Sequence, residues 1–244
     1  MAAPRSDAPG APAATGSAPG VHLISLGCPR TLVDSELYLG RLGARGFRIV
    51  ETPEESDVIV INTCSFIESA IRESVDTVLQ AVALKKRGRV KAVVVAGCLV
   101  QRFKQELFTE LPEVDGFVGV DGFDDIDTIL QRALRGERPR DLRPRPRVPY
   151  QGAPLRSALT PAHYAYLKIS EGCLKGCSFC IIPKIKGPLS SRPIEALIEE
   201  ARQLVEERGV AELLVVGQDT SDYGVDLYGR PCIAELLARL SRIE

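Results

Sequence analysis

Histidine is almost missing from this chain: His22 and His163 are the only two in 244 residues. A structural zinc site usually draws on four protein ligands, as paired C-x2-C units or with histidine, so there is little from which to build one. Net charge is equally scarce. At -1 the chain has no global attraction for nucleic acid, and any such binding needs a local basic patch. No stretch approaches the ~18 consecutive apolar residues of a membrane span. Residues 1–20, a low-complexity Ala/Pro/Gly/Ser tail expected to be disordered, hold no apolar core of the kind a signal peptide needs. A cytoplasmic location without a membrane partner is the expectation. Seven cysteines, an odd number in a chain this long, do not suit a secreted disulfide scaffold and fit a reducing compartment where thiols stay free to bind metal. A hydrophobic fraction of 45% and a charged fraction of 26% are those of a globular protein, long enough for one large or two ordinary domains.

What the chain does have is cysteine in two groups. Glu171-Gly-Cys-Leu-Lys-Gly-Cys-Ser-Phe-Cys180 spaces Cys173, Cys177 and Cys180 as C-x3-C-x2-C. Three thiolates on one short loop can hold three corners of an iron–sulfur cube and leave the fourth iron open to a ligand. Two other readings stand beside this one. His163, ten residues upstream of Cys173, could complete a zinc site, or the three could be core or redox cysteines without a metal.

The second group lies in the first half. Val21–Cys28, Asp57–Cys64 and Lys91–Cys98 are three apolar, β-branched runs, each with a cysteine at its last position. Runs of Val and Ile without alternation predict strands buried on both faces of a parallel sheet. Helical patterns follow each run: Leu32 to Leu42, about 65–86 with Ile67, Ile71, Val75, Val78, Leu79 and Val82, and Phe103 to Leu111 before Pro112. A fourth strand over 116–121 and a helix over about 123–134 complete a doubly wound β-α-β domain, residues 21–135. In such sheets ligands bind beyond the carboxyl ends of the strands. One cysteine there is usually packing; three at equivalent positions predict a shared metal or cluster site formed by Cys28, Cys64 and Cys98.

Residues 136–162, rich in proline and arginine, read as a linker without regular structure. Its arginines either face water or touch RNA or ribosomal phosphate. From 163 to 244 a second α/β pattern begins. Tyr164–Ser170 is a strand that runs into the cysteine loop, a helix opens at Ser191-Arg-Pro and extends to about Arg208, and Gly209 stops it. Glu212–Gly217 is the next strand, followed by the polar loop Gln218–Gly224 and a helix over 233–243. Both loops fall on the face where barrel active sites form. Cys232 stands outside both groups and reads as a buried or incidental thiol.

The C-x3-C-x2-C loop after a first strand, with Phe179 before its last cysteine, resembles the radical S-adenosylmethionine (SAM) superfamily. Together with the three upstream cysteines it is similar to the methylthiotransferase family, in Ser25–Pro29, Leu32–Glu36, Asn62–Ile67, Lys168–Cys173, Cys177–Pro183 and Gly217–Ser221. Within that family the wording is closest to the branch acting on ribosomal protein S-twelve. Arg30-Thr31 stands where that family usually has Lys-Asn, and Lys186-Gly187 where it has Arg-Gly.

The resemblance implies a doubly wound domain followed by the first part of a radical SAM (β/α) partial barrel, with the rest of the barrel and a C-terminal RNA-binding β-domain absent. It implies two 4Fe-4S clusters, one on Cys173, Cys177 and Cys180, the other on Cys28, Cys64 and Cys98. SAM would bind the open iron of the first and be cleaved there to methionine and a 5′-deoxyadenosyl radical, with Phe179 near the adenine and Gln218 and Asp219 near the methionine end. For Gln218 and Asp219 the plain alternative is a polar loop with an Asx-turn. The second cluster would carry the sulfur that is methylated and inserted at the β-carbon of an aspartate. Implied partners are ribosomal protein S-twelve, on the small ribosomal subunit, an electron donor and a sulfur source. Two rival functions are a transfer-RNA adenosine methylthiotransferase and an inactive iron–sulfur-binding fragment.

Overall fold

The computed structural model describes residues 18–142 and 155–243. Most of the expected N-terminal tail, residues 1–17, and the centre of the Pro/Arg-rich segment, residues 143–154, lie outside the described residues.

The apolar runs become the strands they predict. In chain order the first half contains β1 (Gly20–Ser25), α1 (Pro29–Ala44), β2 (Arg48–Ile49), β3 (Val58–Thr63), α2 (Glu68–Lys86), β4 (Ala92–Gly97), α3 (Cys98–Phe103), α4 (Gln105–Glu110), β5 (Gly116–Val118), α5 (Ile126–Leu134) and β6 (Arg140–Asp141). All six strands pair in parallel, in the order β2-β1-β3-β4-β5-β6. Every residue of β3 and β4 is buried, which is why neither strand alternates in hydropathy.

Their side chains divide between two layers. Ile59, Ile61, Val93 and Val95 pack under α2 with Val78 and Val82. Val58, Val60 and Val94 pack on the opposite face with Tyr38 and Leu42 of α1 and Ile126 and Leu130 of α5. Each fully buried Val, Leu or Ile side chain contributes about 1.5–3 kcal/mol, so both faces are held by the same short runs.

The second half contains β7 (Tyr164–Lys168), β8 (Ser170–Glu171), α6 (Ile182–Lys186), β9 (Ser190–Ser191), α7 (Ile194–Arg202), β10 (Glu212–Val216), α8 (Val225–Tyr228) and α9 (Ile233–Leu240). Strands β7 and β10 pair in parallel, with Leu167 and Ile169 packed on Leu197, Ala201 and Leu236. Strands β8 and β9 pair antiparallel and bracket the cysteine loop at its base. Among the described residues no helix is long and apolar enough to cross a membrane.

The run expected as one helix from Phe103 to Leu111 is broken at Lys104, whose φ is 46°, and three further differences matter for the seam and its surroundings. Arg140–Asp141, within the segment expected to lack regular structure, forms an edge strand on β5. The helix expected to reach Arg208 is α-helical only to Arg202 and continues as a π-helical stretch, Gln203–Glu207, before Gly209, whose φ of 67° a side chain would oppose. Third, Arg156 of the Pro/Arg-rich segment is not a solvated charge: its side chain is only 3% exposed.

Arg156 donates from Nε to Glu36 Oε2 at 3.0 Å, and from Nη1 to Glu200 Oε1 at 2.6 Å and to the Tyr166 carbonyl at 2.9 Å. Glu200 in turn pairs with Arg192 at 2.6 Å. Glu36 lies on α1 and Glu200 on α7, so the Glu36–Arg156–Glu200–Arg192 chain rivets the two halves together. Taking one partner from a buried pair leaves a charge uncompensated and costs about 3–5 kcal/mol. Arg156→Met is therefore expected to lower the urea midpoint by a corresponding amount, and an unchanged midpoint would contradict the rivet.

Candidate functional site

Three parallel strands in register end at one level, and each is followed at that edge by a cysteine. The local backbone is pinned by side chains from neighbouring elements. Asn62, the penultimate residue of β3, donates from Nδ2 to the Thr31 carbonyl at 3.1 Å and to Ser35 Oγ at 3.0 Å, holding the start of α1 and hence Cys28. Cys64 is clamped on both sides by Ser74 of α2, whose hydroxyl accepts from the Cys64 amide at 3.2 Å and donates to its carbonyl at 2.8 Å. Thr63 Oγ1 donates to the Ala96 carbonyl at 2.5 Å and accepts from the Leu99 amide at 3.3 Å, fixing the turn that carries Cys98. Gly27 has φ 95°, and a Cβ there would stand 2.6 Å from Cys64 Cβ. Only glycine lets the two turns come this close.

Cys28, Cys64 and Cys98 line a single cavity of about 270 Å³. The first half does not close it alone: Lys186, Ile182 and Gln218 of the second half form part of its wall, and Phe66 and Ile67 its apolar side. Arg30, also in the lining, donates from Nη1 to the Gly217 carbonyl at 2.9 Å.

The three thiols differ in their surroundings. Burial raises the pKa of Cys28, but the Arg30 guanidinium and the Thr31 hydroxyl, 3.5 Å from the sulfur, together hold it below the ordinary thiol value. Cys98 is pushed up to about 12 by burial, against the pull of Lys186.

The loop thiols sit in a looser setting. Cys173 and Cys180 are half-buried and Cys177 is exposed. Gly172 opens the loop with φ 70°, and a Cβ there would meet the Pro188 carbonyl oxygen at 2.0 Å. The Cys173 amide donates to the Gly187 carbonyl at 3.3 Å, the Cys180 amide to the Cys177 carbonyl at 3.1 Å, and the Lys175 amide to Cys173 Sγ at 3.4 Å.

Lys175, between the first two cysteines, ties the loop to the next one through Asp222 at 2.8 Å and Asp219 at 3.5 Å. Asp219 also accepts from the Ser221 amide at 3.0 Å, the Asx-turn that was the plain alternative for this residue. Gln218 donates to buried Glu171. Phe179 is 86% exposed, so its ring covers nothing in the described residues.

The two cysteine groups are neighbours. Ile182 lines the cavity and is two residues from Cys180, a span of at most ~7 Å along the chain. Between them lies a buried quartet that the sequence did not announce. Lys168 pairs with Asp34 and, at 2.9 Å, with Glu171; Lys186 stands 3.4 Å from each of the same carboxylates. Burial opposes the charge on Glu171, yet Lys168 and Lys186 hold its carboxyl well below the usual range. The only sequence signal was two lysines and two acids inside apolar strand and helix patterns.

The zinc alternative loses its fourth ligand. His163 precedes β7 while the cysteine loop follows it, so the five residues of β7, about 16 Å of strand, separate them. Among the described residues no three His, Cys, Asp or Glu side chains are grouped to hold a single metal ion. Thiols set apart around a cavity fit a multi-iron cluster, whose cysteines each bind a different iron. Cys232 is buried and donates to the Arg230 carbonyl at 3.4 Å, away from both groups.

Comparison with known proteins matches residues 20–119 to a family described as Uncharacterized protein family UPF0004 and residues 167–243 to the Radical SAM superfamily, a group whose chemistry rests on SAM and an iron–sulfur cluster. Similar curated proteins include the "Ribosomal protein uS12 methylthiotransferase RimO" of Clostridioides difficile (strain 630), 45% identical over 92% of this chain and 50% of that protein. Those of the same name from Sulfurihydrogenibium sp. (strain YO3AOP1) and Anaeromyxobacter sp. (strain Fw109-5) are 47% and 45% identical, over 92% of this chain and 48% and 47% of theirs. The chain spans about half the length of the curated relatives it matches.

Burial and exposure rank the thiols of the metal-free chain. Iodoacetamide at pH 8 is expected to label Cys177 first and Cys98 and Cys232 last, read by peptide mass mapping. Labelling of Cys98 as fast as Cys177 would mean that the cavity is not closed by the second half.

Proposed function

The chain is a RimO-like radical SAM methylthiotransferase sequence over the residues matched, and from that premise we propose that it serves methylthio transfer to the β-carbon of an aspartate of ribosomal protein S-twelve. The observation that carries this reading is the convergence of three strand-end cysteines on one cavity whose wall is completed by the residues flanking a second three-cysteine loop. Two sets of three thiolates, each one ligand short of closing around four irons, are what two clusters with an open iron require.

In this reading Cys173, Cys177 and Cys180 hold one 4Fe-4S cluster and Cys28, Cys64 and Cys98 another, residues 21–135 forming the first domain and 163–244 the beginning of the SAM-binding domain. Bound there, the clusters and SAM supply one-electron chemistry at an unactivated carbon that acid–base side chains lack at neutral pH. The chain's own groups prepare and shield the sites. Arg30 and Thr31 keep Cys28 disposed to lose its proton, and Ser74 and Thr63 fix the directions of Cys64 and Cys98. Phe66, Ile67 and Ile182 give the cavity an apolar side. Gln218, anchored on Glu171, and Asp219, anchored on Ser221 and paired with Lys175 of the cysteine loop, would bind the methionine end of SAM, and the exposed Phe179 ring is available to the adenine. An electron donor, a sulfur source and the small ribosomal subunit are the partners this chemistry needs.

Anaerobic reconstitution with iron and sulfide is expected to load about eight irons per chain, falling to about four when either cysteine triad is replaced by alanine. With a strong reductant and SAM, the loaded chain should form 5′-deoxyadenosine, and with the S-twelve protein, methylthio-aspartate. Tightly bound zinc in place of iron, or modified adenosine in transfer RNA as the sole product, would overturn the reading.

A further inference from the structure

The wall of the three-thiol cavity contains one buried lysine contributed by the other half of the molecule. Lys186 ends α6, its side chain is 5% exposed, and the preceding Ile185 packs directly with Cys98 and Val120. The residue is therefore fixed against one of the cavity's thiols by an apolar contact next to it in sequence.

Its ion pairs are unequal. Asp34 and Glu171 both make their shorter contacts with Lys168, while Lys186 lies 3.4 Å from each. An ammonium has three donors, and besides these two long contacts Lys186 also lines the cavity. Ile182, Phe66, Ile67 and Ala70 give that cavity an apolar lining, and the buried Lys186 charge is less screened than one in water.

We propose that Lys186 is the positioning charge of this cavity, setting how readily a cluster held by Cys28, Cys64 and Cys98 accepts an electron. The proposal rests on the cluster assignment above. Reduction adds one electron from an external reductant and one negative charge to the cluster, and no bond in the protein forms or breaks. A cation at the cavity edge favours the reduced state, and its removal disfavours it. Because Lys186 belongs to the second half and reaches Asp34 of α1 across the seam, its charge is presented to the cavity only when the two halves are docked.

The test is an EPR-monitored redox titration of the reconstituted 244-residue chain with Cys173, Cys177 and Cys180 replaced by alanine, so that only the strand-end cluster is present. Lys186→Met is expected to make reduction at least tenfold less favourable, 59 mV for one electron. Lys186→Arg should restore it to within threefold, and Asp34→Asn, which removes a negative charge from the same quartet, should shift it the opposite way. The Asp34 variant keeps the test decisive if Lys186→Met does not fold. In the complementary chain with Cys28, Cys64 and Cys98 replaced, the same changes should move the loop cluster less.

An unchanged potential in Lys186→Met, a downward shift in Asp34→Asn, or an equal shift of both clusters would overturn the proposal. Failure of the cysteine-substituted chain to load about four irons would instead remove the cluster assignment, and the proposal with it.

Discussion

The arrangement depends on charges buried at the seam between two α/β halves. Ion pairs removed from water lose more hydration than they regain unless every partner is in place. Here the partners alternate. Glu36, Arg156, Glu200 and Arg192 form one chain, and Asp34, Lys168, Glu171 and Lys186 form a quartet. Asp34 and Glu36 are on the helix that begins after Cys28, and Glu171 precedes the cysteine loop. The groups that dock the halves are therefore the ones that set where the two thiol sets stand relative to each other.

The two sets are built in different ways. The strand-end thiols inherit their positions from a fully buried parallel sheet, and Asn62, Thr63 and Ser74 remove the remaining freedom of their turns. The loop thiols hang from a two-residue antiparallel bracket, β8 with β9, and from a glycine whose conformation and lack of a Cβ permit the close pass of Gly187 and Pro188. A rigid site beside a more open one suits a division in which one holds a group in an apolar cavity and the other admits a larger ligand.

Most of the first half was legible in the sequence because its signals are local: unbroken Val/Ile runs, helical spacing over about 65–86 and a cysteine at the end of each run. The two-residue strands Arg48–Ile49 and Arg140–Asp141 were not, since each exists only as an edge on a sheet formed by other residues. The six cysteines could be grouped by motif, but the shared wall could not, because Lys186 and Gln218 reach the cavity through tertiary docking. Arg156 misled for the same reason. Its neighbours in sequence are proline, leucine and serine, and its partners are 120 and 44 residues away. Composition reads such a residue as solvated, and only the assembled seam shows that it is not.

The central claim is that the seam brings two clusters into one neighbourhood, and magnetic interaction between them measures this directly. With both centres reduced by one electron, the EPR spectrum of the reconstituted chain should show splitting or broadening that neither cysteine-triad variant shows alone, together with faster spin relaxation. A spectrum equal to the plain sum of the two single-cluster spectra would contradict the account.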